Sequence, residues 1–165
     1  MELTTDIPLR GVAWNRVIDE LSSLFKTRTH YTLYILSLAI GLMYDKRIER
    51  PEDDGSELKT VPRLVVSNND NGKLDVMFQA AILSTATEQL SEDDRLAIAF
   101  GEKTEFNKIG FLTQFANYGV TKLAELIGDT ILESMENIKD FLVSTVEGRN
   151  FDIDALPDEI LLSED

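Results

Sequence analysis

The stretch THYTLYILSLAIGLMYDKR, residues 29–47, decides the fold. From Leu33 to Tyr44 it carries no charge, and Ser37 is its only polar side chain besides two tyrosine hydroxyls. Those 12 residues cover roughly 18 Å at helical rise, against about 30 Å of bilayer hydrocarbon, so the stretch is too short to span a membrane. It does not read as a signal peptide either, because an amphipathic segment precedes it and no small-residue cleavage site follows. A helix that is apolar on all sides is surrounded by other helices. The stretch therefore predicts a central helix over Thr29–Tyr44, with Thr27 or Thr29 as its cap. Gly41 inside it costs about 1 kcal/mol relative to alanine, which points to close approach by another helix.

Working outward, Trp14, Val17, Ile18, Leu21, Leu24 and Phe25 recur at helical spacing and predict a preceding amphipathic helix with Trp14 inward. Residues 1–10 read as an arm that ends in the turn chemistry of IPLRG. Asp45–Lys59 is polar, contains Pro51 and Gly55, and reads as a surface loop. Residues 61–78 admit two readings. Asn71-Gly72 is a hairpin-turn signal and Val61–Val66 is β-prone. The preferred reading is a helix from Leu74 to about Gln89, with Leu74, Met77, Phe78, Ala81 and Ile82 on one face and any strand confined to 61–67. Ser91 with Asp94 predicts a capped helix closed by Gly101. A helix over Glu105–Tyr118, with Phe106, Ile109, Gly110 and Phe115 inward, is expected to break at Gly119 and to resume over Val120–Ile127. The last helix, Thr130–Val146, carries a seam of Ile131, Met135, Ile138 and Leu142. The expected architecture is all-α: about six helices around Thr29–Tyr44 in one domain over residues 1–148, with an acidic tail over 149–165 and a short β-hairpin as an option near 61–78.

The chain has 165 residues, no cysteine, one histidine and a net charge of −14. Its size suits one domain with a real core. Without cysteine, disulfides, zinc–thiolate sites and cysteine nucleophiles are excluded, and a reducing, cytoplasmic setting is the expectation. The charge is uneven: residues 1–50 carry 7 basic and 6 acidic groups, 51–128 carry 7 and 13, and 129–165 carry 2 and 11. Direct nucleic-acid binding is not expected, because backbone recognition needs Lys and Arg to displace counterions. Acidic charge also simply keeps a protein soluble.

A single histidine, His30, rules out zincin and di-iron patterns. It reads as a helix-start surface residue. Asn68–Gly72 fails as a calcium loop, since Ser67 and Phe78 would fall at its first and bidentate positions. Gly101–Thr104 lacks the glycine spacing of a phosphate loop. Glu133, Glu136 and Asp140 share a helix face that reads as solvated. No catalytic residue, metal or cofactor is expected. Two features point instead to protein–protein contact. Asn117 and Tyr118 stand before a glycine, either at a simple kink or at a polar notch for a partner. In the tail, Phe151, Ile153, Leu156, Ile160 and Leu161 alternate with acids, either as packing on the domain's own core or as a peptide for another protein's groove.

At LAIGLMYDKR and FANYGVTKLAELI the sequence resembles small helical proteins encoded beside bacterial DNA-phosphorothioation and related phage-defence genes, the dnd system-associated proteins. Ala39, Gly41, Lys46 and Arg47 fit the family's apolar helix and basic turn, and Ala116, Asn117, Gly119 and Leu123 fit its later helix. Gln114, Phe115 and Tyr118 depart from it. The likeness covers residues 25–127 and not the tail. It implies an accessory protein of a defence island, with no catalytic residue carried over. The function expected is a non-enzymatic subunit that docks the last helix and tail on a larger nucleic-acid-processing ATPase or nuclease. The alternative is an acidic DNA mimic that blocks a DNA-binding enzyme.

Overall fold

The computed structural model describes residues 3–25, 29–53, 55–85, 90–101 and 105–147. In chain order these form β1 (Ile7–Leu9), α1 (Val12–Phe25), α2 (Thr29–Tyr44), β2 (Lys59–Val61), α3 (Arg63–Asn69), α4 (Lys73–Thr85), α5 (Glu92–Phe100), α6 (Lys108–Glu125) and α7 (Ile131–Glu147). The fold is all-α with one short two-stranded antiparallel element. The chain divides into two compact units, Met1–Ile127 and Gly128–Asp165.

In the first unit α2 occupies the residues expected of it and buries Tyr31, Leu33, Tyr34, Ser37, Leu38, Ile40 and Gly41. Its partner is α6, and the two cross with their backbones in contact. A Cβ on Gly41 would overlap the Phe115 carbonyl, and one on Gly119 would overlap the Ser37 carbonyl. Gly119 is therefore not a break: α6 is continuous from Lys108 to Glu125. The glycine's missing side chain is used for approach between helices, not for a turn. The inward face of α6 is Phe111, Leu112, Phe115, Ala116, Val120 and Leu123, whereas Ile109 and Gly110 are half-buried. α1 completes this core through Trp14, Val17 and Leu21, all without exposed surface, and Trp14 stacks on Tyr34 with centroids 6.4 Å apart.

The strands lie elsewhere than the local signal suggested. The arm is not loose: Ile7, Pro8 and Leu9 pair with Val61, Thr60 and Lys59 in antiparallel register, burying Ile7 and Leu9. Pro8 has no N–H, so the Pro8–Thr60 pair is the non-hydrogen-bonded one and Thr60 turns its carbonyl outward. His30 meets it, its Nδ1 donating to Thr60 O at 2.6 Å. The histidine of the chain is thus half-buried and pins β2 to α2.

Of the stretch expected to be β-prone, 61–66, Val61 ends β2 and residues 63–66 fall in α3. The Asn-Gly turn is present: Asn71 and Gly72 have φ of 49° and 80°, and Lys73 N donates to Asp70 O at 3.0 Å. It joins two helices instead of two strands. Asp70 settles the outcome, because its buried carboxylate accepts from Leu74 N at 3.0 Å and from Tyr31 OH at 3.1 Å. A capped α4 start is worth about 1 kcal/mol, and a hairpin would forfeit it. α5 begins as expected, with Ser91 Oγ accepting from Asp94 N at 3.2 Å, and Gly101 closes it.

In the second unit, as far as it is described, α7 is opened by Thr130, whose Oγ1 accepts from Glu133 N at 3.2 Å. Glu133 in turn accepts from Asp129 N at 2.9 Å.

Candidate functional site

Three regions present groups that a ligand or partner could meet: the Asn117–Tyr118 notch, a cleft beside it, and the apolar face of α7. Asn117 is buried and hydrogen-bonded through both its amide oxygen and its amide nitrogen. Its Oδ1 accepts from Trp14 Nε1 at 2.9 Å and its Nδ2 donates to Ile48 O at 3.0 Å. Ile48 N returns to Gln114 O at 2.9 Å. One side chain therefore ties α1, the 45–58 loop and α6 together. This placement gives Asn117 a structural task.

Tyr118 is the half-buried member of the pair. Its ring stands edge-on to Tyr44 at 5.9 Å, with the ammonium groups of Lys46 and Lys122 at 5.6 and 5.9 Å from its centroid. Lys122 also binds Glu125 at 2.9 Å, and that hydrogen bond holds its pKa above the usual lysine value. Arg47, from the same basic turn, lies 5.5 Å from both the Phe111 and Phe115 rings. The turn is held in place by Asp45, whose φ of 50° allows the N–H groups of Asp45 and Lys46 to close the end of α2 on Leu42 O and Gly41 O.

Beside Asn117 lies a cleft of about 640 Å³. Its floor is one stripe of α6, Gly110, Thr113, Gln114 and Asn117, and its roof is the arm from Leu3 to Asp6 with Pro8. Glu49 stands at its side. Thr113 Oγ1 donates to Ile109 O at 2.7 Å, so it receives the Tyr34 hydroxyl at 3.1 Å. Burial pushes the Tyr34 pKa well above the ordinary tyrosine value. The arm is anchored over the floor by Arg63, whose backbone N–H donates to Asp6 at 2.9 Å and whose guanidinium donates to Thr4 O at 3.2 Å. The spacing i, i+3, i+4, i+7 puts these residues on one helix face, on which Gly110 was expected to point inward; no local signal shows that the arm lies beside it.

On α7 the expected seam divides. Ile138 and Leu142 are half-buried, while Ile131 and Met135 are 43% and 47% exposed. Leu132 and Val143 add 66% and 44%. At about 100° per residue, these four exposed residues share an arc of about 120° that also holds the exposed Lys139, and Glu133, Glu136 and Asp140 fall within about 60° directly beside it. Phe151, Ile153, Leu156, Ile160 and Leu161 lie outside the described residues.

Among the described residues, no group of three or more His, Asp or Glu is placed to hold a metal ion. No described helix is long and apolar enough to cross a membrane. No family model, curated protein or solved structure matches the chain.

Proposed function

We propose that the chain is a non-enzymatic helical accessory subunit that docks on a larger protein through the apolar face of α7. The observation that carries this reading is the exposure of Ile131, Leu132, Met135 and Val143 on one side of a 17-residue helix. Met135 follows Ile131 by four residues and Leu132 by three, the spacing of neighbouring anchors on a helix laid in an apolar groove. The acidic stripe beside it selects a groove with a basic wall and rejects acidic ones. The resemblance to dnd system-associated proteins favours a nucleic-acid-processing ATPase or nuclease of a bacterial phage-defence complex as that partner.

The test is affinity purification of the full chain from its native cells, beside a Leu132→Lys/Met135→Glu variant. The reading expects a stoichiometric partner on the natural chain that is lost from a variant of unchanged melting temperature. Equal recovery on both would overturn it. The net charge of −14 favours one other reading, occupation of a basic DNA channel as a mimic. A salt titration of the complex separates the two: a mimic loses affinity steeply as salt rises, whereas apolar docking holds.

A further inference from the structure

Asn71 is the asparagine of this chain that precedes a glycine. The pair forms the exposed turn between α3 and α4, with φ of 49° and 80°. Positive φ at both central residues belongs to the type I′ form of a tight turn. The Asn71 side-chain amide makes no hydrogen bond among the described residues, and the Gly72 N–H has no acceptor among them. A Cβ at Gly72 would meet nothing within 4 Å, so the peptide plane between the two residues has room to flip. That flip gives the type II′ form, which keeps φ of Asn71 positive, carries its ψ to about −120° and turns φ of Gly72 negative. Glycine takes either sign freely. Both forms retain the bond that closes the turn, Lys73 N to Asp70 O at 3.0 Å. At the new ψ the Gly72 nitrogen eclipses the Asn71 Cβ, which brings Cγ within reach of that nitrogen for closure of a five-membered ring.

We infer that Asn71 is a site of spontaneous backbone modification, closing on Gly72 as a succinimide and opening as aspartate or isoaspartate. The Gly72 nitrogen gives its proton to hydroxide and attacks the Asn71 Cγ. A C–N bond forms, the bond from Cγ to the amide nitrogen breaks, and ammonia leaves with a proton from water, which returns the hydroxide. Water then adds to one ring carbonyl. Opening at Cγ yields aspartate, opening at the backbone carbonyl yields isoaspartate, and neither step needs an oxidant or reductant. Nitrogen and carbonyl share one turn, so the attack is intramolecular, and that is the source of its rate. Other asparagines are held differently: Asn69 donates to Val65 O, Asn107 accepts from Gly110 N, and Asn117 is bonded at both amide atoms. Isoaspartate carries the main chain through Cβ and Cγ and lengthens the turn by one atom. Asp70 stands on one side of that insertion and Leu74 on the other, so the 3.0 Å bond between them is lost. The buried Asp70 carboxylate is then left to the Tyr31 hydroxyl at 3.1 Å. Aspartate adds no atom and leaves the start of α4 in place. The inference is independent of docking through α7.

The test is ageing of the folded full chain in neutral and mildly alkaline buffer, followed by peptide mapping with mass spectrometry and by thermal melts. The inference expects amide-to-acid conversion to accumulate at Asn71 faster than at every other asparagine, as two separable products, at a rate that rises with hydroxide concentration. An intact Asn71 under conditions in which a blocked peptide of the same turn sequence reacts would overturn it, and so would faster conversion at another asparagine. The control is Asn71→Gly, which has no side chain to attack and takes a positive φ without strain. The natural chain should lose melting temperature as isoaspartate accumulates, whereas aged Asn71→Gly should melt as it did when fresh. Equal losses in the two chains would place the damage elsewhere and overturn the effect on α4. The Asp54-Gly55 pair is able to close the same ring, but it is present in both chains and shows no net mass change, so it cancels from the comparison.

Discussion

Two neighbouring positions at the α2–α6 crossing respond to the same small change with opposite signs. Gly119→Ala adds a methyl group where the Ser37 carbonyl already sits. The gain in helix propensity is about 1 kcal/mol, and overpacking against backbone costs about 1–3 kcal/mol or more. Overlap with backbone cannot be relieved by a rotamer change, so the cost wins and denaturant midpoints should fall. Ser37→Ala removes a hydroxyl that is buried without a hydrogen-bond partner. Its loss should raise stability by about 1 kcal/mol, the penalty of an unsatisfied polar group less the small packing it provides. Urea unfolding of the two variants checks both signs at once; a stabilised Gly119→Ala would mean that the helices are not in backbone contact. Gly41 was legible as a close-approach residue from its place in an apolar helix. Gly119 was not, because its neighbours Asn117 and Tyr118 resemble the punctuation of a turn. Asn117 was read as part of a kink or of a polar notch; its bonds to Trp14 and Ile48 make it a buried hydrogen-bond hub, which depends on residues remote in sequence.

At the scale of elements, helical periodicity carried most of the information. α1, α2 and the start of α5 fall where apolar spacing and caps put them. The misplaced strand has its cause in the pairing of segments remote in sequence. β1 exists because Lys59–Val61 lies beside it, and neither segment has the length to announce a strand alone. After the Asn-Gly turn the helix preferred from Leu74 is present as α4, which Asp70 caps through Leu74 N; before the turn the expected strand is helix α3 instead. The cleft requires the arm to cross α6, a contact spanning about the whole first unit, and no local pattern encodes it. α7 shows the converse: its seam was legible, but whether an apolar seam is filled is a tertiary fact. Because Leu132 is two-thirds exposed, Leu132→Lys should change the melting temperature by less than the equivalent of about 0.5 kcal/mol, the usual range for surface substitutions. Leu38→Ala in the buried α2 should cost about 2–5 kcal/mol. Thermal melts of the pair test this contrast. A large loss for Leu132→Lys would show that the α7 face already serves the chain's own stability, and would remove the observation on which docking rests.

For the whole molecule, charge sets the dependence on pH and salt. Tyr31 is pushed up to about 12 by burial first and by the adjacent Asp70 second, and burial raises Tyr34 as well. Both phenols bind their protons more tightly folded than unfolded. Their contribution is therefore complete below the unfolded value of 10.0 and is lost as pH rises from there through about 12 for Tyr31. Alkaline unfolding should set in above the ordinary tyrosine range, and Tyr31→Phe should flatten its slope. An unchanged slope would place the buried charge elsewhere. Salt tests the opposite balance. Ion pairs among the described residues, Lys59 with Asp19 and Glu57 and Lys122 with Glu125, lie at the surface, where such pairs are worth about 0–1 kcal/mol. Against them stand fourteen uncompensated negative charges. Their mutual repulsion reaches over about 30 Å at 0.01 M ionic strength and about 8 Å at 0.15 M. Raising salt thus removes more repulsion than attraction, and the melting temperature should climb by a few degrees over that interval before levelling off. A fall instead would mean that the acidic groups are spaced widely enough to ignore one another, and that the surface pairs hold more of the stability than their exposure allows.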